Sequence, residues 1–180
     1  MIEDCGTGDW MQTFTGRKFF PFAPRAEDIC IEDIAHHLAM QCRYNGAAHE
    51  FYSTAEHSVL VSEHVKPGAE LWGLLHDAPE FAIGDMIRPV KHHPVMHPFR
   101  AIENRIMLVI CEKFGLPPHM PPTVKDIDSR ICLTEGKILL PNQPEPWGIP
   151  GPSVPATIHC WSPRTAERMF LQRFEELTRG

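Results

Sequence analysis

Apolar side chains recur at helical spacing along most of this chain, and the interruptions are sharply marked. Ile31, Ile34, Ala35, Leu38 and Cys42 predict a helix over 31–42, stopped by Asn45–Gly46. Ser53 and Glu56 have the S-x-x-E spacing of a capping box ahead of a helix at 54–65, with Ala55, Val59 and Leu60 toward the core. Pro67–Gly68 breaks that helix, and Leu71, Trp72, Leu74 and Leu75 predict another over 69–77. Pro79 ends it, because proline cannot donate to the carbonyl of Leu75 and its ring crowds that turn; a short helix restarts and runs to Ile83.

Residues 84–98, rich in proline, histidine and basic side chains, read as a loop. Ile102, Ile106, Val109, Ile110 and Phe114 predict a long helix over 99–114, with Gly115 as its natural stop. Val124, Ile127, Ile131 and Ile138 predict one over 123–139. The stretch 141–160 holds six prolines and reads as an ordered surface excursion or a partner contact. Ser162–Pro163 then opens a last helix over 163–178 with an apolar face of Ala166, Met169, Phe170, Phe174 and Leu177. Near the N-terminus, TFTGRKFFPF fits either a short hairpin or an irregular cover. The expectation is one compact all-α domain over 1–180, with a motif-bearing core at 31–140 and no linker.

Composition narrows the classes. The chain has 180 residues, 43% of them apolar, enough for one core and too apolar for disorder. A formal net charge of -6 gives no support to a general DNA-binding surface. Cys5, Cys30, Cys42, Cys111, Cys132 and Cys160 form no C-x-x-C pair and read as free thiols in a reducing compartment. The acidic start MIEDCGTGDW lacks a signal peptide's apolar stretch, and no apolar run reaches membrane-spanning length. The localisation expected is cytoplasmic, in the host if the chain is phage-encoded.

The chemistry concentrates in LWGLLHDAPEFAIGDMIRPVK. His76 and Asp77 end one apolar helix, His57 lies on the helix before, and Asp128 sits beside the apolar face of a later one. Two nitrogens and two carboxylates make a reasonable shell for a divalent ion. Adjacent helical residues diverge by about 100 degrees and share no ideal face, so convergence of His76 and Asp77 needs the disruption caused by Pro79. A competing structural role exists: Asp77–Ala78–Pro79–Glu80 is also a capping box with proline just inside it. Lone histidines are commonly just partners in a core, and Asp128 alone is commonly a solvated acid.

The ordered set H…HD…D, with EHS before HD-x-x-E-x-x-x-x-D-x-x-x-P-x-K and with KDIDSRICLTE after it, resembles the HD-domain metal phosphohydrolases. Within them it is similar to the branch of bacterial 5′-deoxynucleotidases and small phage-type deoxynucleoside triphosphohydrolases, over roughly residues 31–140. The resemblance implies an all-helical fold and His57, His76, Asp77 and Asp128 as metal ligands. That donor set admits Mn²⁺, Fe²⁺, Co²⁺, Zn²⁺ or Ni²⁺, with additional Mg²⁺ accompanying a triphosphate.

Glu80 then stands as the group that orients or deprotonates the attacking water, against its bland role in the capping box. Asp85 stands beside the water or the sugar, against a turn acid after Gly84. Arg43 is the phosphate clamp, against a surface charge at a helix end. Lys91 matches the lysine of the D-x-x-x-P-x-K run, and the resemblance implies that it holds another phosphate oxygen. The resemblance makes Tyr44 and Asn45, which follow Arg43, candidate base or sugar contacts; Tyr44 equally fits packing under the aromatic N-terminal segment. His92, His93, His97 and His119 lack the spacing of a second metal site and read as surface residues.

The expected activity is hydrolysis of a deoxynucleoside triphosphate, dATP foremost, by water attack at the α-phosphorus. A nucleotidase releasing orthophosphate from monophosphates uses the same O5′-linked phosphorus. A non-catalytic module binding metal, nucleotide or a partner is the reading from another class. The resemblance also implies a homo-oligomer.

Overall fold

The chain enters through a short antiparallel hairpin, β1 (Met11–Gln12) and β2 (Lys18–Phe19), with Met11 opposite Phe19 and Gln12 opposite Lys18. Of the two N-terminal readings, the hairpin is the one formed, and Phe19 is fully buried beneath it. The structure, a computed structural model, describes residues 8–140 and 142–179; Cys5 and Pro141 lie outside the described residues.

Helices follow: α1 (Ile31–Met40), α2 (Thr54–His64), α3 (Glu70–Leu75), α4 (Glu80–Ile83), α5 (Arg88–Lys91), α6 (His97–Phe114), α7 (Pro122–Leu139) and α8 (Pro163–Thr178). The fold is all-α with a minor β element.

Most boundaries follow local chemistry. Ser53 Oγ accepts from the Glu56 amide at 3.1 Å, and Ser162 Oγ accepts from that of Thr165 at 3.3 Å. Gly115 closes α6 with φ 68°, its amide donating to Cys111. Three expectations need correction. Helix α1 ends at Met40 instead of 42, because Gln41 and Arg43 turn their backbones to Thr54 and Tyr52. The stretch 84–98 is partly helical: Pro89 sits at the start of α5, and Pro94 opens a 3₁₀ turn over Pro94–Met96. On α7, Leu139 takes the inner position while Ile138 is 48% exposed.

Helix α2 is the centre of the fold. Nine consecutive residues, Thr54 to Ser62, are buried, so the helix is enclosed on every side instead of facing a core on one. Ala55 and Val59 join a cluster with Ile34, Leu38, Leu75, Ile106 and Phe170. Leu60 and Val61 join a second with Tyr52, Trp72, Val124 and Ile131. An enclosed helix needs no polar side chains for packing, yet Glu56, His57, Ser58 and Ser62 are all buried on it. Each polar group there must find a partner or carry a desolvation penalty.

Close approach of α3 to α2 depends on Gly73. A Cβ at this position would stand 2.9 Å from the Ser62 Cα, which is backbone and cannot swing aside. Gly73→Ala is therefore expected to lose about 1–3 kcal/mol of stability through overpacking, read as a lower urea midpoint. An unchanged midpoint would show that α3 has room to withdraw.

Candidate metal centre

His57 projects from the middle of α2, His76 and Asp77 from the turn after α3, and Asp128 from α7. The turn exists because Pro79 cannot extend the α-helical ladder. Ala78 donates to the Leu75 carbonyl and Glu80 to that of Asp77, both 3.0 Å, which is the tighter three-residue pattern. The Asp77 side chain caps nothing; no side-chain cap bond forms at the start of α4. Its Oδ2 instead lies 3.2 Å from His76 Nε2 and 3.7 Å from His57 Nε2.

Asp128 Oδ1 approaches the same two nitrogens, at 3.3 Å from His57 Nε2 and 3.9 Å from His76 Nε2. The ligand atoms available on His57, His76 and Asp128 all lie within 4.8 Å of one another. Asp128 is not the solvated helix acid of the bland reading: its other oxygen accepts from Lys125 at 2.7 Å, which turns Oδ1 inward.

The tautomers follow from the partners. His57 Nδ1 is 2.6 Å from Glu135 Oε1, and His76 Nδ1 is 2.8 Å from the Gly73 carbonyl. Both partners only accept, so both Nδ1 atoms carry hydrogen and donate. The two Nε2 atoms are buried and have no hydrogen-bond partner. Two imidazoles oriented through Nδ1, with buried Nε2 atoms facing carboxylates, fit a divalent cation.

Glu135, which sequence reasoning did not single out, holds this arrangement together. It is fully buried and accepts from His57, from Tyr52 Oη at 2.7 Å, from Tyr44 Oη and from Arg43 Nη2 at 3.3 Å. Burial opposes its charge, but His57 and Arg43 outweigh it and bring its pKa down to about 2. The available signal was spacing: Glu135 follows Asp128 by seven residues, two turns along the same face of α7.

The remaining charges divide around this centre. Burial resists ionisation of Asp77 and Asp128, yet the neighbouring histidines hold both below the usual carboxylate range. Glu80 goes the other way: burial and the charges of Asp77 and Asp85 raise its pKa well above the ordinary value. Its Oε1 is 3.4 Å from Lys91 Nζ, and its Oε2 is buried without a partner. Asp85 is half-buried and raised by burial, within the field of Arg43, Asp77 and His57. Lys91 is shared with Glu103 of α6 at 2.5 Å, a second acid that the sequence pattern did not flag.

Arg43 is buried, not a surface charge. Nη1 lies 3.5 Å from Asp77, and its Nε has no partner. Tyr44 and Asn45 follow in left-handed conformation, at φ 57° and 52°. Tyr44 points its hydroxyl at Glu135, while Asn45 is exposed. His92, His93, His97 and His119 are exposed, as expected.

The proline-rich stretch is a strap along α7. Arg130 Nε donates to the Pro152 carbonyl at 2.8 Å, and Lys137 Nζ to Ser153 Oγ at 3.0 Å. Its end is gripped by Glu56, whose carboxylate accepts from the amides of His159, Cys160 and Trp161 at 2.7, 3.1 and 2.7 Å. The Glu56 carboxylate thus anchors a segment a hundred residues away, one position before His57. Among the described residues Cys30, Cys42, Cys111, Cys132 and Cys160 are free thiols, and no helix is long and apolar enough to cross a membrane.

Fold and site together define a helical protein carrying a buried histidine–carboxylate cluster suited to a metal ion and consistent with an HD-like motif. The chain belongs to the family of the uncharacterized protein YfdR of Escherichia coli, with which it is 35% identical over 173 residues, covering 94% of this chain and 96% of that protein. It is also 41% identical over 125 residues to an uncharacterized protein of Rhodobacter capsulatus, covering 64% of this chain and 63% of that one. No family model matches the chain.

Two outcomes test the cluster. With no ion bound, burial and Arg43 oppose a charge on His57, but Glu135 and Asp128 prevail and raise its pKa to about 9. A cation at Nε2 must displace that proton, so binding should weaken as pH falls below 9 and should release a proton near neutrality. Calorimetry in two buffers of different ionisation enthalpy reads this directly; no buffer dependence at pH 7 contradicts it. Glu135→Gln leaves His57, His76, Asp77 and Asp128 in place, yet it should lower Co²⁺ or Mn²⁺ affinity about 10–100-fold through loss of the orienting carboxylate. Unchanged affinity would reduce Glu135 to a packing role.

Proposed function

We propose that the protein is an HD-type, metal-dependent phosphohydrolase that cleaves a deoxynucleoside triphosphate at the α-phosphorus, releasing deoxynucleoside and triphosphate. The observation that carries this reading is the pair of buried, unpartnered Nε2 atoms on His57 and His76 facing Asp77 and Asp128. Those four residues would hold the ion. Bound there, a divalent ion supplies positive charge for phosphoryl oxygens and acidity for a water.

The chain's own residues account for the rest. Arg43 is held at Nη2 by Glu135, but its Nε–H has no partner and its Nη1 makes only a 3.5 Å contact to Asp77, which leaves donors for a phosphate oxygen. Glu80 has one carboxylate oxygen on Lys91 and one without a partner, and burial, with Asp77 and Asp85 beside it, favours the protonated form. It is therefore suited to exchange a proton with water or with the departing O5′. Asp85 faces the same group of charges and would position water or the sugar. Tyr44 and Asn45, following Arg43, would border the sugar and base. Lys91 balances Glu80 and Glu103 and would turn to a phosphate when one is present.

One observation favours the monophosphate reading. Lys91 and Lys125 already lie 2.5 and 2.7 Å from carboxylates, so Arg43 is the cation at the site with the clearest spare donor. A single phosphate asks less of the site than three.

Purified protein with Mn²⁺, Co²⁺ or Mg²⁺, offered each deoxynucleoside tri- and monophosphate, separates these outcomes. Triphosphate release from a dNTP, dATP foremost, is expected. Orthophosphate from monophosphates alone would select the nucleotidase. No turnover by metal-loaded protein would defeat both and leave a binding module. Glu80→Gln should keep the ion and lose at least about 100-fold in kcat. Arg43→Ala should raise KM as well as lower kcat; an unchanged KM removes it from the phosphate.

A further inference from the structure

The strap brings one aromatic ring to the edge of the site, and none of the roles above uses it. Trp147 stacks on Tyr44 with ring centroids 5.7 Å apart and planes 27° from parallel. Tyr44 in turn lies under Arg43, whose guanidinium carbon is 5.4 Å from the phenol centroid. Guanidinium, phenol and indole thus follow one another at spacings that a single nucleotide spans.

The indole is seated in a notch. A Cβ at Gly136 would stand 2.5 Å from Gln143 Nε2, 2.9 Å from Trp147 Cζ3 and 3.1 Å from Cη2, so the glycine leaves room on α7 for both strap side chains, the indole among them. Glycine weakens a helix interior relative to alanine, and the seat for Trp147 is what it provides here. Although seated, Trp147 remains 40% exposed. A tryptophan that served only to bury area would be covered; this one keeps part of its surface open beside the Tyr44 ring that lies under Arg43.

We infer that Trp147 is a specificity-determining residue: its open indole surface stacks on the base of the nucleotide whose phosphate Arg43 holds. The inference rests on the nucleotide reading above. It assigns the strap a role as the wall that distinguishes a base-bearing phosphate from one without a base. Stacking of this kind accepts any base, since every base has a π face. Trp147 therefore demands a base without naming it. The link from Tyr44 through Glu135 to His57 also ties the position of this wall to the metal centre.

The test compares ligands with and without a base. Trp147→Ala should raise KM for the deoxynucleotide substrate about tenfold or more, while the inhibition constant of tripolyphosphate, which has no base, stays unchanged. Trp147→Phe should restore most of the loss. A non-hydrolysable dNTP analogue should quench tryptophan fluorescence in the metal-loaded protein, and the quench should be lost in Trp147→Phe.

Equal weakening of substrate and tripolyphosphate in Trp147→Ala would mean that the ring only anchors the strap, and an unchanged KM would mean that it does not touch the base. Either result overturns the inference. Failure of the hydrolase reading looks different: the wild-type protein then turns over no deoxynucleotide, while the quench still reports stacking. A quench that persists in Trp147→Phe overturns the inference whatever the turnover.

Discussion

Glu135 is a fully buried carboxylate surrounded by donors from three other parts of the chain. His57 comes from α2, Arg43 and Tyr44 from the turn after α1, and Tyr52 from the segment leading into α2. An ionised carboxylate in this position would be severely destabilising alone, and removing one partner of a buried pair typically costs about 3–5 kcal/mol. Its donors offset that cost and in doing so acquire fixed orientations. His57 must present Nε2 to the cluster because Nδ1 is committed. Arg43 must lie over Asp77 because Glu135 holds its other end. Tyr44 adopts a left-handed backbone, strained for a non-glycine residue, with its hydroxyl on the same carboxylate.

A second set of contacts fixes the other half of the centre. The Gly73 carbonyl sets the His76 tautomer, and the missing Cβ of the same residue lets α3 lie against α2. Lys125 turns Asp128, and Pro79 produces the tight turn on which His76 and Asp77 face one point. Each candidate ligand is thus positioned by a neighbour that contributes nothing to the ion itself. The strap joins the same system from outside, through the Glu56 grip on residues 159–161 and the seat of Trp147 over Gly136.

Much of this was legible in the sequence because its causes are local. Capping serines, helix-ending glycine and proline, and apolar spacing depend on neighbours within a turn or two, and α2, α7 and α8 begin within a residue of where those signals put them. The juxtaposition of His57, His76, Asp77 and Asp128 follows the ordered motif. What escaped depends on distant partners. The Ser53–Glu56 spacing marked a cap correctly, but the Glu56 carboxylate binds backbone a hundred residues on, which no local pattern encodes. The Asp77–Glu80 box fitted equally well on spacing and does not form: the Asp77 carboxylate is turned to the two imidazoles of the cluster. Glu135 and Glu103 looked like ordinary helix acids, since burial and charge pairing arise only when α6 and α7 are in place.

The central claim is that Glu135 and the Gly73 carbonyl fix both histidines as Nδ1–H tautomers, leaving Nε2 for a cation. Long-range ¹⁵N–¹H NMR of Zn²⁺-loaded protein tests it most directly. The account predicts that His57 and His76 both carry their proton on Nδ1, with both Nε2 resonances displaced by the ion. A proton found on Nε2 of either ring would contradict it.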